Sequence, residues 1–86
     1  MKNIVLEKDG RENGRYAYRT PWRKYSHNYY IYHNGNVWML ECKDYGRPGQ
    51  SYRLVNSFST LKEARGRIFL IEKTARDVAA RERAFA

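Results

Sequence analysis

Few side chains in this sequence are suited to covalent or metal chemistry. The chain has two histidines, His27 and His33, and one cysteine, Cys42, at a spacing that matches no known metal-ligand pattern. Cys42 falls on the apolar side of a predicted strand, where a thiol behaves as a small hydrophobic group. Glu41 and Asp44 are close in sequence, but neither has a histidine nearby for acid–base work. We therefore predict a non-catalytic protein that needs no metal or other cofactor.

A metal-free ribonuclease is the enzymatic alternative that the residue types leave open. Arginine, tyrosine and histidine can cleave RNA in small basic ribonucleases. Such a site would be assembled from Tyr30, Tyr32, His33, Arg47 and Arg53. The compact toxins of this size usually place their helices ahead of the sheet, whereas the strong helix of this chain is predicted last. Catalysis is therefore the least favoured interpretation.

The charge of the chain indicates a different chemistry, the neutralisation of a polyanion. Its 86 residues include 17 Lys and Arg against 9 Asp and Glu, which gives a formal net charge of +8. No acidic residue lies between Glu12 and Glu41, and this stretch alternates basic residues with tyrosine and tryptophan. Cations neutralise phosphates and aromatic rings stack on bases. We therefore predict that the protein binds nucleic acid, with duplex DNA ahead of RNA.

The residues predicted to contact nucleic acid are basic or aromatic. Lysine and arginine would hold phosphates, the tyrosines and Trp22 would stack on bases or pack along sugars, and Arg47 and Arg53 would reach base edges. The predicted contact residues are Arg19, Arg23, Lys24, Tyr30, Tyr32, Lys43, Arg47 and Arg53. The alternative is a small phage-type inhibitor or adaptor, which would bind a host protein through exposed aromatic anchors.

A hairpin around Asn34-Gly35 positions three of these residues, Tyr30, Tyr32 and Lys43. An Asn-Gly pair fits a two-residue type I′ turn, in which both residues need a positive φ. Such a turn would pair Ile31 with Trp38, and directly paired residues share a face of the sheet. The predicted core face consists of Tyr29, Ile31, Trp38, Leu40 and Cys42. The opposite face would carry Tyr30, Tyr32, Val37, Met39, Glu41 and Lys43.

Residues 51–57 are predicted to form the next strand of this sheet. Alternation along the strand places Tyr52 and Leu54 on the core face, and Arg53 and Val55 on the face of the basic and aromatic residues. The central sheet would then have three antiparallel strands within residues 29–57.

Residues 1–28 are predicted to contain two short strands and a loop. Residues 4–8 and 15–19 have strand patterns with turn signals at Asp9-Gly10 and Asn13-Gly14, and a basic-aromatic loop follows. This segment either extends the sheet or folds over its open face. Covering that face would turn its tyrosines into a second small core.

The C-terminal part of the chain is predicted to be one long helix over residues 60–84. Thr60 and Glu63 have the spacing of a capping box. Apolar residues then recur at intervals of three and four from Leu61 to Val78, which is typical of one helix face. A helix of this length spans about 37 Å, whereas a seven-residue strand spans about 23 Å. We therefore expect the last turns to extend beyond the sheet.

These elements predict a single α+β domain, residues 1–86, in which a small antiparallel sheet of three to five strands packs on one long C-terminal helix. No apolar run reaches the ~18 residues that cross a bilayer, and the N-terminus has no signal-peptide pattern. We therefore expect a cytoplasmic protein without a membrane partner.

The region from residue 29 to about residue 72 resembles a known family. Trp38 in a central strand, followed by Phe58-x-Thr60-x-x-Glu63-Ala64, is similar to the N-terminal arm-binding domains of tyrosine recombinases and to the related plant ethylene-response-factor domain. The resemblance implies a three-stranded sheet whose open face lies in the DNA major groove, with Tyr30, Tyr32, Lys43 and Arg53 at the DNA. The chain lacks a recombinase catalytic domain, so we expect a stand-alone phage-type or plasmid-type accessory protein.

Overall fold

A computed structural model describes residues 4–43 and 52–85 of the chain. It contains one five-stranded antiparallel sheet, with the strands in chain order, and one helix. The elements are β1 (Glu7–Glu12), β2 (Arg15–Arg19), β3 (Asn28–His33), β4 (Trp38–Lys43), β5 (Arg53–Phe58) and α1 (Leu61–Phe85). The predicted α+β class is confirmed. The first two strands extend the predicted three-stranded sheet to five. In the described part of the chain, no helix is long and apolar enough to cross a membrane.

A two-residue Asn-Gly turn of the kind predicted at Asn34-Gly35 is found instead at Asn13-Gly14, in the β1–β2 hairpin. Asn13 and Gly14 both have positive φ, 54° and 76°, and Glu12 pairs directly with Arg15. Asn and Gly are the residues that tolerate a positive φ best, so this turn forms with little backbone strain.

The β3–β4 hairpin closes through a longer turn than the sequence predicted. Asn34 caps the turn with its side chain, whose Oδ1 accepts from the backbone N–H groups of Asn36 (2.9 Å) and Val37 (3.0 Å). His33 pairs with Trp38, so the predicted pairing of Ile31 with Trp38 was wrong by two residues. A shift of two leaves every side chain on its predicted face, because side chains alternate with a period of two.

The core lies between α1 and one face of β3 and β4. All the residues that β3 and β4 contribute to the predicted core face are buried, together with Ile4, Ala64 and Ile68. On α1, the Glu63 backbone N–H donates to Thr60 Oγ1 (3.1 Å), which confirms the predicted N-cap. Burial fades toward the C-terminal end of the helix, where Val78 is 45% exposed. The last turns therefore extend beyond the sheet, as their length predicts.

The predicted face assignment of β5 was wrong in its first half. Phe58 pairs with Trp38, but the register shifts between Leu40 and Glu41, so that Leu54 pairs with Glu41 instead of continuing on the core side. This shift leaves Val55 as one extra residue in β5, and an extra residue reverses the alternation that follows it. Leu54 is consequently 56% exposed. By the same reversal Arg53 lies opposite Cys42, on the helix-covered side.

Candidate nucleic-acid interface

The sheet face opposite α1, called the open face below, carries half of the predicted contact residues. It is defined by Arg19, which pairs with Tyr30, by Tyr32 and Lys43 on the same side of their strands, and by Tyr52. The ring centroids of Tyr30 and Tyr32 are 5.7 Å apart, and those of Tyr30 and Tyr52 are 6.0 Å apart. Tyr30 and Tyr32 are half-buried, so among the described residues no segment folds over them as a second core would require.

Carboxylates lie near these tyrosines on the open face, alongside the cations Arg19 and Lys43. Burial raises the pKa of Tyr30, and the charges of Glu12, Asp9 and Glu41 raise it further, because a tyrosinate would face like charges. The Tyr32 hydroxyl donates to Glu41 (3.4 Å). In the β1–β2 register, two further cross-strand partners are oppositely charged, Glu7 with Arg19 and Glu12 with Arg15. The open face therefore has a mixed charge rather than the basic character that the sequence predicted.

The β2–β3 loop, residues 20–27, is held firmly at its base. The Thr20 backbone N–H donates to the Tyr29 carbonyl (3.1 Å), and the Tyr29 N–H donates to Thr20 Oγ1 (3.0 Å). Within the loop, the Lys24 N–H donates to the Pro21 carbonyl (3.2 Å) and closes a tight turn. Arg23 has a positive φ of 59° in this turn.

The tip of this loop displays an aromatic and basic cluster. Trp22 is 67% exposed, the largest exposed fraction among the large apolar side chains of the described residues. The guanidinium carbon of Arg23 lies 6.0 Å from the Trp22 ring centroid, and Lys24 Nζ lies 6.0 Å from the ring centroid of Tyr25. Cations near aromatic rings in this way offer both charge and a stacking surface to a ligand.

Glu72 of α1 ties the second half of the loop to the helix. The side chain is buried and accepts hydrogen bonds from the Ser26 N–H (2.8 Å), the Tyr29 hydroxyl (2.7 Å) and the Ser26 hydroxyl. Burial and the neighbouring Glu72 carboxylate raise the pKa of Tyr29. Glu72 was not singled out from the sequence alone. The available signal was its position four residues after Ile68, within the apolar stripe.

A groove of about 530 Å³ lies between the β2–β3 loop and α1. Two exposed cations, Lys24 from the loop and Arg76 from the helix, line it together with apolar groups. The Tyr25 hydroxyl accepts from the Val5 backbone N–H (2.8 Å), which fixes the Tyr25 ring in the wall. The residues that line the groove are Ile4, Val5, Lys24, Tyr25, Phe69, Glu72 and Arg76.

The structure therefore divides the predicted contact residues among separate surfaces. Arg19, Tyr30, Tyr32 and Lys43 lie on the open face, and Arg23 and Lys24 lie on the β2–β3 loop. Arg53 does not join the open face, because the irregularity in β5 places it opposite Cys42. Arg47 lies outside the described residues.

The sheet does not bring together the tyrosines and the histidine that were considered for a ribonuclease site. His33 is buried and pairs with Trp38 on the helix-covered side, with the two ring centroids 5.1 Å apart. Tyr30 and Tyr32 are on the other side of the same sheet, because their positions in β3 alternate with that of His33. These tyrosines and His33 therefore cannot act on one substrate atom.

Comparison with protein-family models, with curated proteins and with solved structures found no match to this chain. The resemblance of residues 29 to about 72 to the recombinase arm-binding domains stays a prediction.

Proposed function

We propose that this protein binds nucleic acid without catalysing a reaction, with DNA ahead of RNA, through the β2–β3 loop and the adjoining side of α1. The observation that carries the proposal is the exposure of Trp22 beside Arg23 and Lys24 on a loop with fixed ends. A flexible loop would fold a tryptophan onto the protein to remove its apolar surface from water. Holding it outward favours a ligand that stacks on the ring, and binding residues are often placed on such loops.

The helix supplies further positive charge next to the loop. Arg76 and Lys24 line one groove, so their charges act on the same part of a ligand. Several acids of α1 are already engaged within the protein: the Glu63 carboxylate accepts from the Thr60 hydroxyl (3.1 Å), Glu72 is buried, and Asp77 accepts from Lys73 (3.1 Å). The helix carries seven Lys and Arg against four Asp and Glu, in a chain of net charge +8.

Duplex DNA lying on the open face is the form of the proposal that the family resemblance implies. The geometry supports it less well than the loop, because Asp9, Glu12 and Glu41 would lie close to the phosphates. We also propose that the protein is cytoplasmic and acts as a small phage-type or plasmid-type accessory protein.

Two charge-matched double variants test where nucleic acid binds. We expect Arg23→Ala with Lys24→Ala to weaken binding to a labelled DNA oligonucleotide at least tenfold, because two phosphate contacts are lost. Arg19→Ala with Lys43→Ala removes the same charge from the open face and should weaken binding less than threefold. Fluorescence anisotropy at matched salt, together with thermal melting of each variant, measures both effects.

The salt dependence of binding tests the proposal as a whole. Neutralising about four phosphates should lower the affinity roughly 100-fold between 50 and 200 mM salt, because bound counterions are released. A flat response, or no binding at low salt, would show that the protein is not a nucleic-acid binder. A larger loss from the open-face pair than from the loop pair would move the interface to the sheet.

An inhibitor or adaptor that binds a host protein is the second candidate function. The observation that favours it is the open face itself, where Tyr30, Tyr32 and Tyr52 cluster among charges of both signs, close to the exposed Leu54. Aromatic clusters with mixed charge are common at protein interfaces. Capture of one host protein by the wild type, its loss in Tyr32→Ala, and no retention of nucleic acid would establish this function instead.

A further inference from the structure

We infer that the groove between the β2–β3 loop and α1 binds one unpaired nucleotide, which makes the protein selective for single-stranded over fully paired nucleic acid. The inference rests on the proposed function and identifies the class of ligand. The groove volume of about 530 Å³ lies within the range of small-molecule sites, roughly 300–1,000 Å³.

The walls of the groove suit a base. Phe69 and Tyr25 contribute aromatic rings, and Ile4 and Val5 contribute aliphatic surface. The hydrogen bond between the Tyr25 hydroxyl and the Val5 backbone N–H (2.8 Å) holds one ring in place before a ligand arrives. A wall that is already ordered costs little entropy on binding, and aromatic walls accept any base because every base has a flat π surface.

The charges of the groove orient the nucleotide. Glu72 is a buried member of the lining and its carboxylate already accepts from Ser26 and Tyr29, so a phosphate beside it would meet a negative charge. Lys24 and Arg76 are exposed and lie toward the opening. The phosphate is therefore favoured between the two cations at the opening, with the base directed inward.

This orientation excludes a paired base. In a duplex the base is stacked between its neighbours and hydrogen-bonded to its partner, so it can enter the groove only after unpairing. An unpaired base needs no such step. Trp22, which is 67% exposed at the tip of the same loop, offers a further ring on which another base of the strand can stack.

The experiment compares a labelled 12-nucleotide single-stranded DNA with the blunt duplex of the same sequence by fluorescence anisotropy. We expect the single strand to bind about tenfold more tightly at equal salt. Arg76→Gln should weaken single-strand binding roughly fivefold, whereas Arg81→Gln, which removes the same charge from the same helix outside the groove, should change it less than twofold. Phe69→Ala should weaken it about tenfold through lost stacking, and thermal melting identifies any loss that comes from unfolding.

The outcomes separate this inference from the function on which it rests. Equal affinity for the two DNA forms, or equal effects of Arg76→Gln and Arg81→Gln, would overturn the groove as a nucleotide site while nucleic-acid binding stands. Absence of binding to both forms at low salt would overturn the proposed function itself. Because Arg76 is exposed, Arg76→Gln tests the groove even if Phe69→Ala proves unstable.

Discussion

Replacing Glu72 by alanine is expected to lower the free energy of unfolding by about 3 kcal/mol. The substitution removes the acceptor for the Ser26 N–H, the Ser26 hydroxyl and the Tyr29 hydroxyl, and leaves the buried Tyr29 hydroxyl without that partner. Buried donors that lose their partner cost about 1–3 kcal/mol each, partly recovered by relaxation or water entry. For a domain of this size the melting temperature should fall by roughly 15 °C, measured by circular dichroism.

The matched control for this variant is Glu82→Ala, which removes an exposed acid from the same helix. Its unfolding free energy should stay within about 0.5 kcal/mol of the wild type. Glu72→Gln keeps the shape of the side chain and one acceptor oxygen, so its stability should lie between the two. If Glu72→Ala melts like Glu82→Ala, the hydrogen bonds of Glu72 do not hold the loop to the helix. The loop that carries Trp22 would then not be fixed to the helix, and an outward-held tryptophan would no longer be supported.

Leu40→Ala is the second substitution with a large expected effect, a loss of about 3 kcal/mol in unfolding free energy. Leu40 is fully buried in the centre of the sheet, next to Ile31, its partner in β3. Truncation removes buried apolar surface and leaves a cavity, which together cost about 2–5 kcal/mol for a leucine. Urea denaturation followed by tryptophan fluorescence gives the measurement.

Leu54→Ala makes the same chemical change at a position that the sequence pattern places on the same core face. Because Leu54 is 56% exposed and lies opposite Glu41, we expect its truncation to cost less than about 1 kcal/mol. Comparing Leu40→Ala with Leu54→Ala therefore tests the irregularity in β5 directly. Equal losses at Leu40 and Leu54 would mean that β5 alternates regularly and that Arg53 belongs to the open face.

The parts of the fold that could be predicted are those governed by local patterns. The core face of β3 and β4 follows from their alternation, which survives a register error of two residues. The start of α1 follows from Thr60 and Glu63, and its apolar stripe follows from spacings of three and four. The irregularity in β5 had no comparable signal, because Val55 suits a regular strand and a bulge equally well.

The candidate site was only partly predictable because its charge balance is a tertiary property. Along the sequence, Tyr30 lies in a stretch without acids, which indicates a basic surface. In the sheet, pairing of β1 with β2 and of β2 with β3 brings Asp9 and Glu12 close enough to raise the Tyr30 pKa. Electrostatic energy depends on distance in space, and these acids are distant from Tyr30 only along the chain.

The sequence alone determined the fold class, the two faces of the central hairpin, the helix and the excess of positive charge. Hydrophobic periodicity is a local property of the chain, and net charge is a sum over its residues, so neither depends on tertiary contacts. The tertiary structure decided where that charge is available. It placed carboxylates near the tyrosines of the sheet and buried Glu72, which holds the β2–β3 loop. It left Trp22, Arg23 and Lys24 exposed on that loop, with Lys24 lining a groove. Contacts between segments distant in the sequence produce these arrangements, and of them only the burial of Glu72 has a local sign, its position within the apolar stripe of α1.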